Sequence, residues 1–120
     1  MKVYCGMDLV DIGRIENIIA RQGESFINRC FTAGEARYAD SKRSESVRIS
    51  SYAARFAAKE ACGKAFGTGI LSRGIALKDI EVVISSSGAP ALRLTGNAKK
   101  MAEELNITDC SVSLTHDGGV

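Results

Sequence analysis

The stretch SSYAARFAAKEACGKAFGTG, residues 50–69, decides the fold of this 120-residue chain. Its pattern predicts the longest helix of the protein, from about Ser50 to Phe66, ended by the glycines at 67 and 69 because glycine is favoured just past a helix C-terminus. One face of this helix carries only small side chains, those of Ala54, Ala58, Ala61 and Ala65. A face of that kind lets a helix lie close against a sheet.

Upstream of this helix, the sequence predicts a strand that leads directly into another helix. Residues 2–10 are rich in Val, Tyr, Met and Leu, and Gly6 allows a close backbone approach just before Asp8. Asp11 is the predicted N-cap of the helix, which should pause at Gly23. The predicted core-facing side chains, at helical spacing, are Ile12, Ile15, Ile19, Phe26 and Cys30.

The remaining elements complete an α+β fold. Thr32 can cap a short helix that carries Glu35 and Tyr38, and the polar residues 41–46 indicate a turn. Residues 80–85 and 91–95 predict a hairpin, residues 98–105 a short helix and residues 110–115 a last strand. We therefore expect one domain over residues 1–120, with an antiparallel sheet packed against the long helix.

Composition excludes several classes of function. A formal net charge of +2 is far below the strongly positive net charge expected of a dedicated nucleic-acid binder. No window approaches the roughly 18 apolar residues of a membrane span. The four cysteines form no CxxC pair and the N-terminus lacks a signal-peptide core, which predicts free thiols and a cytoplasmic protein. Positive charge gathers in the middle of the chain, as a small anionic ligand would require.

Two carboxylates are the candidate metal ligands, although each has an ordinary explanation. Asp8, at the end of an apolar strand, is also explained as a capping or salt-bridge carboxylate, and Glu60 as the partner of Lys64 at i,i+4. Together with Arg55, Lys59 and Lys64, however, they supply the oxygen ligands and cations of a phosphate site. The spacing around residues 63–69 does not fit a P-loop, which argues against a P-loop NTPase.

His116, the only histidine, suits either acid–base work or a polar strand end. No cysteine or aspartate is placed with it to complete a nucleophilic triad, so covalent catalysis is not predicted.

The order of motifs resembles the short, trimeric holo-acyl-carrier-protein synthase type of phosphopantetheinyl transferase over essentially the whole chain. The block RFAAKEACGKAFGTG at residues 55–69 is the most specific element. The other matching segments are GMDLV at 6–10, Arg14-Ile15, Phe31-Thr32 with Glu35, Gly88-Ala89-Pro90 with Leu92 and Leu94, and Ser113-Leu114-Thr115-His116.

This resemblance implies transfer of the phosphopantetheine arm of coenzyme A to a serine of apo acyl carrier protein, which releases adenosine 3′,5′-bisphosphate. It implies that Asp8 and Glu60 ligate Mg²⁺, or Mn²⁺, and that Lys64 reaches the same phosphates. Arg55, with Lys42 or Arg43, would hold the 3′-phosphate. The further residues implied for the nucleotide cleft are Gly67, Gly88, Pro90 and His116. Glu60, Glu35 or a metal-bound water would take the serine proton.

The resemblance also implies a homotrimer with its sites at subunit interfaces, and it gives a purpose to a stripe of Arg14, Ile18 and Arg21 on the first helix. These residues would bind the acidic carrier protein; otherwise the stripe is a solvated face. The family continues past the histidine into a final strand that is absent from residues 117–120. The alternative function is a non-catalytic module that binds an acidic carrier protein or a nucleotide.

Overall fold

The computed structural model describes residues 2–67 and 74–115. Five helices and one hairpin make up this part of the chain. Their bounds are α1 Ile12–Gln22, α2 Glu24–Cys30, α3 Ala33–Asp40, α4 Glu45–Ala65, β1 Ile80–Ile84, β2 Pro90–Leu94 and α5 Gly96–Glu104, with a 3₁₀ turn at Leu77–Asp79 before β1. The α+β class is confirmed.

The starts of the first three helices agree with the sequence prediction. The Asp11 carboxylate accepts a hydrogen bond from the Gly13 amide at 2.9 Å, so it caps α1. Gly23, with φ of 56°, separates α1 from α2. At α3, the Thr32 hydroxyl accepts from the Glu35 amide while the Glu35 carboxylate accepts from the Thr32 amide, a reciprocal capping box.

Helix α4 begins five residues earlier than predicted. The Ser44 hydroxyl accepts from the Val47 amide at 3.1 Å and so caps it. Arg48 bonds Glu45 within the first turn at 3.0 Å and Asp40 of α3 at 3.1 Å. These polar contacts stabilise a turn that has no apolar periodicity, which is why the sequence pattern placed residues 45–49 outside the helix.

The predicted hairpin is confirmed. β1 and β2 pair antiparallel, with Ile80 opposite Leu94 and Ile84 opposite Pro90. Gly88 adopts a φ of 89° in the connecting turn, a conformation that glycine reaches without a steric penalty.

The predicted strands at 2–10 and 110–115 are wrong. Within the described chain neither segment joins a ladder, because the only sheet there has two strands, β1 and β2. Residues 2–9 instead lie along the alanine face of α4. A Cβ added to Gly6 would come within 1.9 Å of the Ala61 carbonyl oxygen, so the chain at Gly6 lies directly against this face, where a sheet was expected.

Two apolar clusters form the core. The larger cluster is formed by side chains from helices α1, α2, α3 and α4. It contains the predicted core residues Ile15, Ile19, Phe26 and Cys30, with Ile12 packed at its edge. The smaller lies where the end of α4 meets β1 and α5, around Phe66, Ile80 and Met101. In the described chain, no helix has the length and apolar character that a membrane crossing requires.

A buried ion pair links these two clusters. The Lys59 ammonium of α4 donates to Glu35 Oε1 of α3 at 2.6 Å, and both side chains are fully buried. Lys59 also donates to the carbonyls of Leu77 and Ile80, while Glu35 Oε2 accepts from the Val82 amide at 2.8 Å. Burial lowers the pKa of Lys59, and the Glu35 carboxylate opposes that effect.

We expect Lys59→Met to lower the free energy of unfolding by about 3–5 kcal/mol, because it leaves the Glu35 carboxylate buried without its cation. Urea denaturation at fixed protein concentration measures this change. The matched control is Lys99→Met on the exposed face of α5, which should stay within about 0.5 kcal/mol of the parent protein. Equal effects of the two substitutions would contradict a structural role for the pair.

Candidate active site

Asp8 and Lys64 form the polar centre of the candidate site. Lys64 Nζ lies 2.6 Å from Asp8 Oδ1 and 3.4 Å from the Met7 carbonyl oxygen, although 56 residues separate Asp8 from Lys64 in sequence. The Asp8 side chain is 15% exposed and that of Lys64 is 55% exposed. A carboxylate so far withdrawn from water requires a cation, and here the ammonium supplies it.

Glu60 lies one helical turn before Lys64 on α4, so the two side chains share a face. The ordinary explanation of Glu60, a salt bridge to Lys64, is wrong, since Lys64 pairs with Asp8. Among residues 2–67 and 74–115, Glu60 has no hydrogen-bond or ion-pair partner. The face of α4 that receives Asp8 therefore presents a second carboxylate with unused oxygens.

This pair of carboxylates fits Mg²⁺. Magnesium prefers oxygen ligands, keeps several waters and is commonly bound through one or two carboxylates plus substrate phosphates. Asp8 already faces a cation at 2.6 Å, so its carboxylate is oriented to receive positive charge. In the described ranges no group of three or more histidine, cysteine, aspartate or glutamate side chains is placed to hold a metal ion.

Two residues proposed for the site belong to the core instead. The sequence predicts Lys59 to be one of the phosphate-binding cations, but it is fully buried and paired with Glu35. Glu35, a candidate base, is 1% exposed and accepts hydrogen bonds from Lys59, Thr32 and Val82. A carboxylate held in this way cannot reach a substrate hydroxyl.

A second cationic group forms around Tyr38 of α3. The Lys42 ammonium lies 4.1 Å, and the Arg55 guanidinium carbon 4.3 Å, from the centroid of the Tyr38 ring. Lys42 chiefly lowers the pKa of the Tyr38 phenol, as a nearby positive charge must. Of the two predicted partners of Arg55, Lys42 therefore joins it here, while Arg43 is exposed.

Arg55 itself is only 3% exposed. Its Nη1 donates to Ser51 Oγ at 2.8 Å and to the Ser51 carbonyl at 3.3 Å, and burial lowers its pKa. Within the described residues its Nε has no hydrogen-bond partner. With Gly34, Tyr38 and Glu81 it lines a cavity of about 210 Å³ against β1. Sequence reasoning missed Tyr38, although its i,i+4 spacing to Lys42 was a usable signal.

The remaining predicted cleft residues are not brought to these groups. Gly67, with φ of 84°, follows the end of α4. Gly88 and Pro90 lie in the hairpin turn and at the start of β2, and neither lines the Tyr38 cavity or the groove beside Asp8. His116 lies outside the described residues.

An open groove of about 1410 Å³ runs beside Asp8. It is bounded by residues 2–9, the alanine face of α4, Leu92 and Leu94 of β2, and residues 104–115. Cys62 borders it between Glu60 and Lys64, but burial raises the pKa of that thiol to about 11. Cys62 is therefore protonated near neutral pH and is a poor nucleophile.

The stripe on α1 has the expected exposure. Arg14 and Arg21 are exposed, and Ile18 is half-buried against the larger core cluster. An apolar side chain therefore lies between two accessible cations on one face of this helix.

Comparison with known proteins gives one consistent result. The family model of the 4'-phosphopantetheinyl transferase superfamily matches residues 4–115. A holo-[acyl-carrier-protein] synthase of Sinorhizobium fredii is 49% identical over 105 residues, which cover 88% of this chain and 73% of the relative. A Methylobacterium protein with the same name is 55% identical over 98 residues, or 82% of this chain and 70% of that one.

Solved structures of proteins with the same name have a fold similar to that of this chain. The holo-[acyl-carrier-protein] synthase of Neisseria meningitidis has a TM-score of 0.84 at 30% identity, over 97% of this chain and 90% of that one. The Helicobacter pylori synthase, solved in complex with coenzyme A, has a TM-score of 0.81 at 34% identity, over 96% and 91%.

Proposed function

The chain belongs to the 4'-phosphopantetheinyl transferase superfamily, and we propose that it has the activity of a holo-acyl-carrier-protein synthase. It transfers the 4'-phosphopantetheine arm of coenzyme A to a serine of apo acyl carrier protein and releases adenosine 3',5'-bisphosphate. The observation that carries the proposal is the placement of Asp8 against Lys64, one turn from Glu60, in a chain that matches the family from residue 4 to residue 115.

In this proposal Asp8 and Glu60 hold Mg²⁺, or Mn²⁺, through carboxylate oxygens. The metal, when bound, neutralises charge on the pyrophosphate. Lys64 is more than half exposed, so its ammonium would be free to turn from Asp8 to a phosphate oxygen if Asp8 held the metal. Lys64 then stabilises the charge on the leaving bisphosphate.

The serine hydroxyl attacks the β-phosphorus, and the bond from that phosphorus to the oxygen of the adenosine 3',5'-bisphosphate breaks. The serine proton has to leave as the new bond forms. Because Glu35 is buried and fully paired, Glu60 and a metal-bound water are the two candidates that remain for this step.

The group around Tyr38 supports the assignment of the 3'-phosphate to Arg55 and Lys42. Arg55 is buried, has an unpartnered Nε, and lies within salt-bridge distance of no carboxylate among the described residues. A buried guanidinium in this state is stabilised by an anion. Gly67, Gly88, Pro90 and His116 keep their proposed place at the nucleotide cleft on the resemblance alone.

We also propose a homotrimer whose sites lie at subunit interfaces. Val3, Met7 and Leu9 are 77%, 75% and 87% exposed within seven residues of chain, and a neighbouring subunit would cover these apolar side chains. Arg55 and Glu60, five residues apart, point about 140° from each other around α4, so one coenzyme A molecule would have to pass around the helix. A second subunit would complete such a divided site.

Acyl carrier proteins are acidic, and we propose that they dock on Arg14, Ile18 and Arg21 of α1. The cations would steer the encounter, and Ile18 would add apolar contact. The reaction belongs in the cytoplasm, where the four free thiols stay reduced.

Asp8→Asn and Glu60→Gln should each lower kcat by about 10²-fold or more, because each removes a charge that holds the metal. The assay is mass spectrometry of the carrier protein, which gains one phosphopantetheine per turnover with Mg²⁺ and coenzyme A. Glu103→Gln, an exposed carboxylate on α5, is the matched control and should leave kcat unchanged. If the parent protein bound the carrier protein but added no mass to it, the result would favour the non-catalytic binding module.

Arg14→Glu should raise the KM for carrier protein by about tenfold at low salt and leave the KM for coenzyme A unchanged, because it reverses a steering charge. Lys100→Glu makes the same charge change on the exposed face of α5 and should alter neither KM. If Arg14→Glu raised both KM values equally, α1 would not be the docking surface.

Val3→Glu should convert the proposed trimer into monomers, since a charge buried at an apolar interface is costly. Sedimentation equilibrium gives the mass of the particle directly. Val47→Glu, at a half-exposed valine on α4, is the control and should leave the mass unchanged. A monomeric parent protein would refute the trimer.

A further inference from the structure

We propose that Tyr38 is a positioning residue that makes the enzyme select coenzyme A over 3'-dephospho-coenzyme A, by holding Lys42 and Arg55 against its ring. The inference rests on the proposed function, because it requires these two cations to bind the 3'-phosphate. It assigns to Tyr38 a role that neither the sequence pattern nor the metal pair demands.

The geometry carries the first step. The Lys42 ammonium and the Arg55 guanidinium carbon lie 4.1 Å and 4.3 Å from the centroid of the same ring. The two cations therefore lie no farther apart than the sum of these distances. Both distances are within the roughly 6 Å range of a cation–π interaction. The ring thus offsets part of the repulsion that would otherwise drive two like charges apart.

Burial carries the second step. Lys42 is half-buried and Arg55 is almost fully buried, so both have lost water that would stabilise their charges. In the described chain Lys42 has no ion-pair partner, and Arg55 retains an unpartnered Nε. The contact that the two cations share is the Tyr38 ring. This state suits a ligand that brings negative charge to both at once.

The cavity gives the third step. Tyr38 and Arg55 line a space of about 210 Å³, much larger than the roughly 30 Å³ of one water. Its far wall is β1, with Glu81, whose carboxylate accepts a hydrogen bond from the Thr32 hydroxyl. Gly34 lies beside this carboxylate, since a Cβ there would be 2.9 Å from Glu81 Oε2. Of the two cations, Arg55 lines this space, and the Glu81 carboxylate in the same lining makes the placement of positive charge decisive for an anion.

A phosphate monoester needs its cations at a fixed spacing, because charge-assisted hydrogen bonds depend on geometry. A flexible Lys42 without the ring would lose side-chain entropy on each binding event. Tyr38 removes this cost in advance for a ligand with a 3'-phosphate and gives no advantage to one that lacks it. The ratio of kcat/KM for coenzyme A to that for 3'-dephospho-coenzyme A is therefore the property that Tyr38 controls.

The test compares the parent protein with Tyr38→Leu and Tyr38→Phe, each with both donors and saturating apo carrier protein. Tyr38→Leu should lower the selectivity ratio by about tenfold through the KM for coenzyme A, with kinetics on 3'-dephospho-coenzyme A unchanged. Tyr38→Phe keeps the ring and should retain the ratio. Tyr38→Met, which fills similar volume without a ring, replaces the leucine variant if that one does not fold.

Each other outcome identifies what fails. A parent protein that uses both donors equally refutes the 3'-phosphate assignment and this inference, but leaves the transferase function standing. A selective parent protein whose Tyr38→Leu variant is equally selective refutes only the role of Tyr38. If Tyr38→Leu lowers kcat/KM equally with both donors, Tyr38 has only a structural role. If Tyr38→Phe lowers the selectivity ratio, the effect belongs to the hydroxyl. Either outcome overturns positioning by the ring.

A measurement on the unmodified protein checks the same contact. Carbon-13 NMR of labelled tyrosine can follow the phenol of Tyr38 while adenosine 3',5'-bisphosphate or adenosine 5'-monophosphate is added. Lys42 and Arg55 now lower the pKa of this phenol, so a phosphate that neutralises them should raise it. The bisphosphate should do so and the monophosphate should not; equal responses would overturn the proposal.

Discussion

The buried pair of Glu35 and Lys59 is the contact on which the rest of this structure depends. It joins α3 to α4, and through the carbonyls of Leu77 and Ile80 and the amide of Val82 it attaches the hairpin to both. Removing two charges from water costs several kcal/mol per ion, and only near-complete hydrogen bonding offsets this cost. Here both Glu35 oxygens accept bonds, and the ammonium has three acceptors.

Because this pair fixes one side of α4, the other sides of the helix are free to carry function. Glu60 and Lys64 share the face that Asp8 approaches, the alanines form the face against residues 2–9, and Arg55 turns toward Tyr38 of α3. Successive residues of an α-helix point about 100° apart, so side chains at different positions of α4 face different neighbours. One helix thus contributes Lys59 to the core, Glu60 and Lys64 to the candidate site, and Arg55 to the cations around Tyr38.

How far sequence alone predicts this arrangement depends on whether a signal is local. The caps at Asp11 and Thr32, the break at Gly23 and the hairpin were predicted, because each depends on residues a few positions apart. The burial and pairing of Lys59 and Glu35 were not predicted. A lysine that pairs with a residue 24 positions away has the same local sequence pattern as a lysine in solvent. The segments at 2–10 and 110–115 have strand composition but no ladder partner in the described chain, and composition cannot supply a partner.

The contact between Asp8 and Lys64 also has a consequence for the time at which the molecule becomes competent. Asp8 leaves the ribosome before its cation, which follows 56 positions later, after the first three helices and most of α4. Contacts so distant in sequence pay a larger loop-closure entropy and form late. A nascent chain that ends before α4 can therefore bury apolar surface, but Asp8 and Lys64 cannot meet until synthesis has passed residue 64.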